Sequence, residues 1–195
     1  MAKSLKKLND DDLLVAAFTA MQTNQFTLAI KHFKEALRRD PGDPFACLEM
    51  AKCYHTIDDP VNVLTWIKKS FQLAKKDVDL LMHIAQTCQL TRNYSLGIRA
   101  LKLAEEEPRF RHAAIVRQAE LYELSNKLND AEVALEKIAN EPSTLASRAV
   151  RAKIYRRRGD YIQAKSTLEE LILEVGNKNR EFVSSLQYEL AATLD

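Results

Sequence analysis

Four histidines (His32, His55, His83, His112) and three cysteines (Cys47, Cys53, Cys88) are the side chains best suited to bind a metal or act as base or nucleophile. A metal site needs its donors brought to one helix face or one tight turn, as His-Glu-x-x-His or Cys-x-x-Cys spacing does. Neither spacing occurs. Cys47 and Cys53 are six residues apart on one expected helix, well off a common face. An odd number of cysteines, all within helical patterns, predicts buried thiols rather than a disulfide framework. No Gly-rich phosphate loop and no Gly-x-Ser-x-Gly elbow is present. The expectation is therefore no catalytic residue, no metal and no cofactor: this chain alone is not an enzyme.

The strongest local charge feature is Arg148, Arg151, Lys153, Arg156, Arg157 and Arg158. Guanidiniums suit bidentate contacts to carboxylate or phosphate, so the run fits a partner with an acidic segment. It fits better a solvated face balanced by Glu169, Glu170 and Glu174. Nucleic-acid binding would want stacking aromatics among the cations, and the nearby Tyr155 and Tyr161 fall in core columns described below. The whole chain of 195 residues carries a net charge of only +2, which gives no global field for nucleic acid or an anionic membrane. The start, MAKSLKKLNDDD, lacks the apolar stretch of a secretory signal. No window approaches the roughly 18 apolar residues of a membrane helix. Together these predict a soluble, reduced, cytoplasmic protein.

What must position these groups is a repeat. Ala17, Ala51, Ala85, Ala119 and Ala152 recur at steps of 34, 34, 34 and 33 residues, the signature of a solenoid of supersecondary units. Three residues after each comes Ala20, Tyr54, Cys88, Tyr122 or Tyr155. Nine after comes Phe26, Pro60, Tyr94, Leu128 or Tyr161. Twelve after comes Ala29, Val63, Gly97, Ala131 or Ala164, and sixteen after Phe33, Ile67, Leu101, Leu135 or Leu168. Small and large positions alternate, as two packed helices require.

Each unit reads as two amphipathic helices joined by a tight turn. Gly159 suits a helix C-cap and Asp160 the next N-cap, with Asn24-Gln25 and Asn93 at equivalent places. Asp58-Asp59-Pro60 is an acidic cap followed by a first-turn proline. Asp40-Pro41, Glu107-Pro108 and Glu141-Pro142 should stop the second helix of their pairs, and Lys75-Lys76-Asp77 marks a proline-free junction. The expected helices span roughly 10–23, 26–38, 44–56, 60–74, 78–91, 94–105, 111–125, 129–140, 144–158, 161–174 and 180–194, with no strand.

These columns resemble the tetratricopeptide repeat, best in Asn24-Gln25-Phe26…Ala29…Phe33…Ala36…Asp40-Pro41 and Gly159-Asp160-Tyr161…Ala164…Leu168. The resemblance covers about residues 10–176. It implies an all-α, right-handed superhelix of antiparallel helix pairs, whose first helices line a concave groove. The expected single domain follows a segment 1–9, with units near 10–43, 44–77, 78–111, 112–144 and 145–178 and a further helix at 180–194. The Arg-Gly-Asp turn and the Tyr-Glu-Leu-Ala helix near the end are also similar to the repeat region of bacterial sulfotransferases, without their phosphosulfate-binding motif. Phe182, Val183, Leu186, Leu190 and Leu194 form a helical stripe. It suits either a capping helix or the start of a sixth unit in a longer chain.

On this register the groove-lining candidates are Leu14, Phe18 and Met21 in the first unit, Phe45, Leu48, Lys52 and His55 in the second, and Met82, His83 and Gln86 in the third. Arg117 and Glu120 follow in the fourth, and Lys153, Arg156 and Arg157 in the fifth. Gln89, Ala113, Val116, Glu123 and Ala149 share that face. Phe18, Met21, Phe45 and Leu48 form either a pocket for an apolar anchor or a patch that packs on itself or on Leu5 and Leu8. The carboxylate clamp by which related co-chaperones hold chaperone tails is not matched: Leu14, Phe18, Glu49, Asp79 and His83 occupy its positions. The sequence thus predicts a scaffold holding a peptide or protein partner, acidic at the C-terminal end. The rival is a repeat region serving a catalytic domain beyond residue 195.

Overall fold

The computed structural model of the chain describes residues 10–74, 76–176 and 179–194, so Leu5 and Leu8 lie outside the described residues. These residues form eleven helices and no strand: α1 (Asp10–Gln22), α2 (Phe26–Arg39), α3 (Pro44–Thr56), α4 (Pro60–Ala74), α5 (Val78–Leu90), α6 (Tyr94–Ala104), α7 (Pro108–Leu124), α8 (Leu128–Glu136), α9 (Leu145–Arg157), α10 (Tyr161–Val175) and α11 (Arg180–Leu194).

The turn inside each pair is the same device five times. Asn24, Asp58, Arg92, Asn126 and Gly159 have left-handed backbones, with φ of 58°, 57°, 58°, 60° and 81°. Their steps match those of the alanine column. At each turn the following N–H donates to the carbonyl five residues back: Gln25 to Ala20 (2.7 Å), Asp59 to Tyr54 (2.9 Å), Asn93 to Cys88 (2.8 Å), Lys127 to Tyr122 (2.8 Å) and Asp160 to Tyr155 (2.9 Å). This is the Schellman closure, which satisfies carbonyls that the helix end leaves open. The column three residues past each alanine therefore supplies the acceptor. Only Gly159 meets the left-handed conformation with a glycine.

Helix starts are closed by side chains. Asp43 accepts from the Ala46 N–H, Asp77 from Leu80 and Asp160 from Gln163. Thr144 and Ser147 form a reciprocal capping box at α9, and Asp59 accepts from Asn62 beside Pro60. Between helices the five alanines are at most 2% exposed, as are Phe33, Ile67, Leu101, Leu135 and Leu168. The small residue lets two helices approach, and the large one fills the space beside it.

Two compact units result, one running to Ala104 and the other starting at Glu105. In the first, α1–α2, α3–α4 and α5–α6 pack as pairs, α2 lies against α3, α4 against α5, and α3 also touches α5. Ser70 is fully buried on α4, and its hydroxyl donates to the Pro44 carbonyl at 2.8 Å. In the second unit, α7–α8 and α9–α10 are pairs, while α9 also touches α7, α8 and α11. Leu186 of α11 is buried with Ala149, Ala152, Leu168 and Leu171, with Phe182 and Leu190 partly covered beside it.

Two boundaries differ from expectation. Pro108 starts α7 rather than only stopping the helix before it, three residues ahead of the expected start. The second helix of that pair, α8, ends at Glu136 instead of near 140. There Lys137, Ile138 and Ala139 donate to the carbonyls three residues back, tightening the chain into turns. Burial of Ile138 rewards this turn, which points its side chain into the core with Leu135 and Val150.

Candidate protein-interaction face

In the first unit, the α3–α5 seam keeps apolar surface open. Phe45 opens α3 just after Pro44 and remains 45% exposed, its ring edge-on to His83 of α5 at a centroid distance of 6.4 Å. Seven residues along α3, on the same face, Lys52 borders a cleft of about 420 Å³ with Gln86, Thr87, Gln89 and Leu90. His83, Gln86 and Leu90 repeat at helical spacing down α5, so aromatic, amide and aliphatic groups share one seam. Lys52 is paired with Glu49 one turn before it. The seam is thus close to charge-neutral, with amide donors and acceptors at its centre.

Other candidates of this unit surround it. Phe18 is 41% exposed on α1 and meets the buried Phe33 edge-on, with centroids 5.5 Å apart. Leu14 and Met21 are half-buried on the same helix, His55 is exposed at the end of α3, and Met82 is half-buried on α5. Leu48 is a correction: at 1% exposure it belongs to the core and cannot line a surface pocket. Helix α3 is packed against α2, α4 and α5, so its buried arc is wide and takes in Cys47, Leu48, Met50 and Ala51 together. The four-residue pocket of Phe18, Met21, Phe45 and Leu48 therefore lacks one wall. Leu90, 60% exposed, is the residue that the sequence reading missed, although its spacing from His83 and Gln86 was the available signal.

In the second unit, the basic run is largely neutralised from within. Arg156 and Lys153 both approach Glu189 of α11, at 3.0 and 3.8 Å. The Arg157 Nε donates to Glu123 of α7 at 2.8 Å, Arg158 reaches Glu132 at 2.8 Å, and Arg148 pairs with Glu170 and Glu174. Glu120, half-buried on α7, has its carboxyl pushed up by burial, a shift that Lys153 and Arg117 oppose. Acids of α7 and α11 thus flank the cations of α9. Val116 and Ala149 are buried and belong to the core rather than to the groove. Of these acids, Glu123 lies 34 residues before Arg157, one repeat away, a cross-unit pairing readable from the period.

The groups with catalytic potential do not converge. Burial pushes the Cys47 and Cys53 thiols up to about 11 and the Cys88 thiol to about 12, leaving all three protonated at neutral pH. His32 is buried in α2, where burial lowers its pKa and its Nδ1 has no hydrogen-bond partner. The His112 Nδ1 lies 2.9 Å from Glu141, which also pairs with Arg111, and this fastens the α8–α9 loop to α7. Among the described residues no three His, Cys, Asp or Glu side chains group as metal donors. Among those same residues no helix is long and apolar enough to cross a membrane.

Residues 13–43 match the family model of the tetratricopeptide repeat. No curated protein matches the chain in sequence. Among solved structures, the chain is similar to a tetratricopeptide repeat protein from Parabacteroides merdae ATCC 43184 (TM-score 0.70, 15% identity, 94% of this chain and 72% of that one). It is also similar to PilW, a widely conserved type IV pilus biogenesis factor (TM-score 0.65, 14% identity, 95% and 86%). A third likeness is to YrrB, described as a tetratricopeptide repeat protein with an unusual peptide-binding site (TM-score 0.62, 14% identity, 100% and 97%). At these identities the likeness is one of fold.

Proposed function

We propose, from the premise that the chain belongs to the tetratricopeptide repeat family, that it is an interaction scaffold whose α3–α5 seam holds a segment of a protein partner. The observation that carries this reading is Phe45, left 45% exposed against His83, on the face of α3 from which Lys52, two turns on, borders a cleft with Gln86, Gln89 and Leu90. A half-exposed aromatic on one seam with unspent amide groups is the make-up of a binding hot spot: the ring supplies apolar area, and the amides bond an extended backbone. The peptide-binding site named for YrrB agrees with this use of the fold. The basic end of α9 is the less suited place, because an acidic partner there would have to displace Glu123 and Glu189.

The test is retention of partner proteins by the immobilised full chain, compared with Phe45→Asp and Gln86→Ala. The reading expects at least a tenfold loss of retained partner in Phe45→Asp at unchanged helicity. Equal retention by Phe45→Asp and the wild type contradicts it.

A further inference from the structure

One cation of α9 stands apart from the others. In the run from Arg148 to Arg158, five of the six cations have an acidic partner within the unit. Arg151 has none among the described residues. It points about 200° around the helix from Lys153, away from Glu189. There it borders two adjoining clefts, of about 400 and 140 Å³, and Tyr155, one turn on, borders both as well.

The clefts lie where α8 stops early: it has 9 residues against 15 in α10, and Ile138, Ala139, Glu141 and Ser143 of the chain that follows it line the larger cleft together with Gln163 and Thr167 of α10. The larger cleft has Ile138, Ala139 and the Tyr155 side chain as apolar wall, and Ser143 and Gln163 as polar rim.

We propose that this cleft is a second binding site, which takes a single oxyanion, a carboxylate or phosphate, borne on a peptide segment of a partner protein. The unspent Arg151 guanidinium offers a planar, two-pronged donor that matches such a group. Tyr155, which borders the same two clefts, offers a hydroxyl for a hydrogen bond and a ring for the aliphatic part of the segment. The rim also fixes how much negative charge is accepted. Glu132, Glu141 and Glu170 border the clefts but are held by Arg158, by Arg111 and His112, and by Arg148. Glu136 borders the smaller cleft with no partner among the described residues. A lone oxyanion reaches Arg151 past these carboxylates, whereas a polyanion meets repulsion on both sides, so nucleic acid is the wrong ligand. A basic residue next to the anion would meet Glu136.

The experiment is a nuclear magnetic resonance titration of the full chain, following the Arg151 side-chain and Tyr155 signals. The probes are the capped peptides Ala-Ala-phosphoThr-Lys-Ala and Ala-Ala-Glu-Lys-Ala, inorganic phosphate, and a single-stranded oligothymidylate. The proposal expects saturable shifts at both residues with at least one peptide, weakened tenfold or more in Arg151→Gln. In Lys165→Gln, which removes a cation of α10 that is paired with Glu169 and borders neither cleft, binding should persist. The two peptide arms decide between phosphate and carboxylate. No saturable shift with either peptide overturns the proposal, as does binding that survives Arg151→Gln. Inorganic phosphate binding as tightly as the peptides overturns the peptide occupant, and tighter binding of the oligothymidylate overturns the preference for a single oxyanion. Because Phe45 and the α3–α5 seam are untouched, failure here leaves the seam's role standing.

Discussion

Arg92 carries more local cost than any other turn residue of the repeat. Its φ of 58° lies in the left-handed region, where a Cβ costs about 1–2 kcal/mol, and unlike Asn24, Asp58 and Asn126 it lacks the short polar side chain that tolerates this conformation. Arg92→Gly should therefore raise stability by about 1 kcal/mol, seen as a higher urea midpoint at unchanged slope; a loss of stability would contradict the turn geometry. Phe33, fully buried, gives the opposite case: Phe33→Ala should cost about 3–5 kcal/mol, and a cost below about 0.5 kcal/mol would mean the repeat register is wrong. His32 supplies a pH dependence. Burial lowers its pKa from the ordinary 6.5, so between that lowered value and 6.5 the unfolded chain binds a proton that the folded one does not. The stability it contributes is present above about pH 6.5 and is lost as pH falls through the lowered pKa. His32→Leu should flatten the urea midpoint against pH over that window; an unchanged slope would place the acid sensitivity elsewhere.

At the scale of elements, caps and closures divide the chain as the residue types require. Asp160 was legible as a cap from its place after Gly159, whereas Asp43 and Asp77 were read only as parts of junctions, although each also stands three residues before an unpaired N–H at a helix start. Asp77→Ala should cost about 1 kcal/mol, measured by denaturation, and should fray the first turn of α5 in hydrogen exchange; full protection there would contradict the capping role. The end of α8 was not readable from Glu141-Pro142. A proline marks where a helix must have ended, not where it does end, and burial of Ile138 favoured the earlier stop. Leu48 was misplaced for a related reason. Helical spacing gives the direction in which a side chain leaves its helix, but not how many neighbours the helix has, and α3 has three. Charge pairing across elements was legible only in part: Glu123 stands one period from Arg157, whereas Glu189 follows a junction that breaks the period.

At the scale of the molecule, the period carries the fold. Five alanines and their companion columns place the small-to-large contact that recurs in each helix pair, and the same steps recur in the five left-handed turns. Binding residues leave a weaker trace, because a groove is made of positions that packing does not constrain. Phe45, His83 and Gln86 stood out only as what the columns left over, and whether they are spent internally is decided by neighbours from other units. That distinction separates the two halves of the chain. In the unit ending at Ala104 the seam keeps aromatic and amide surface open, while in the unit from Glu105 the equivalent charges of α7, α9 and α11 neutralise one another. Whether partners are held at the α3–α5 seam, as proposed, is tested by placing a photoreactive residue in turn at Gln86, at Gln89 and, on exposed surface away from the seam and from the α9 clefts, at Val61 and Tyr188, then irradiating the chain with its partners present. The expected result is crosslinked protein at positions 86 and 89, lost on adding Phe45→Asp, and none at 61 or 188. Crosslinks confined to 61 and 188, or unchanged by Phe45→Asp, would contradict it.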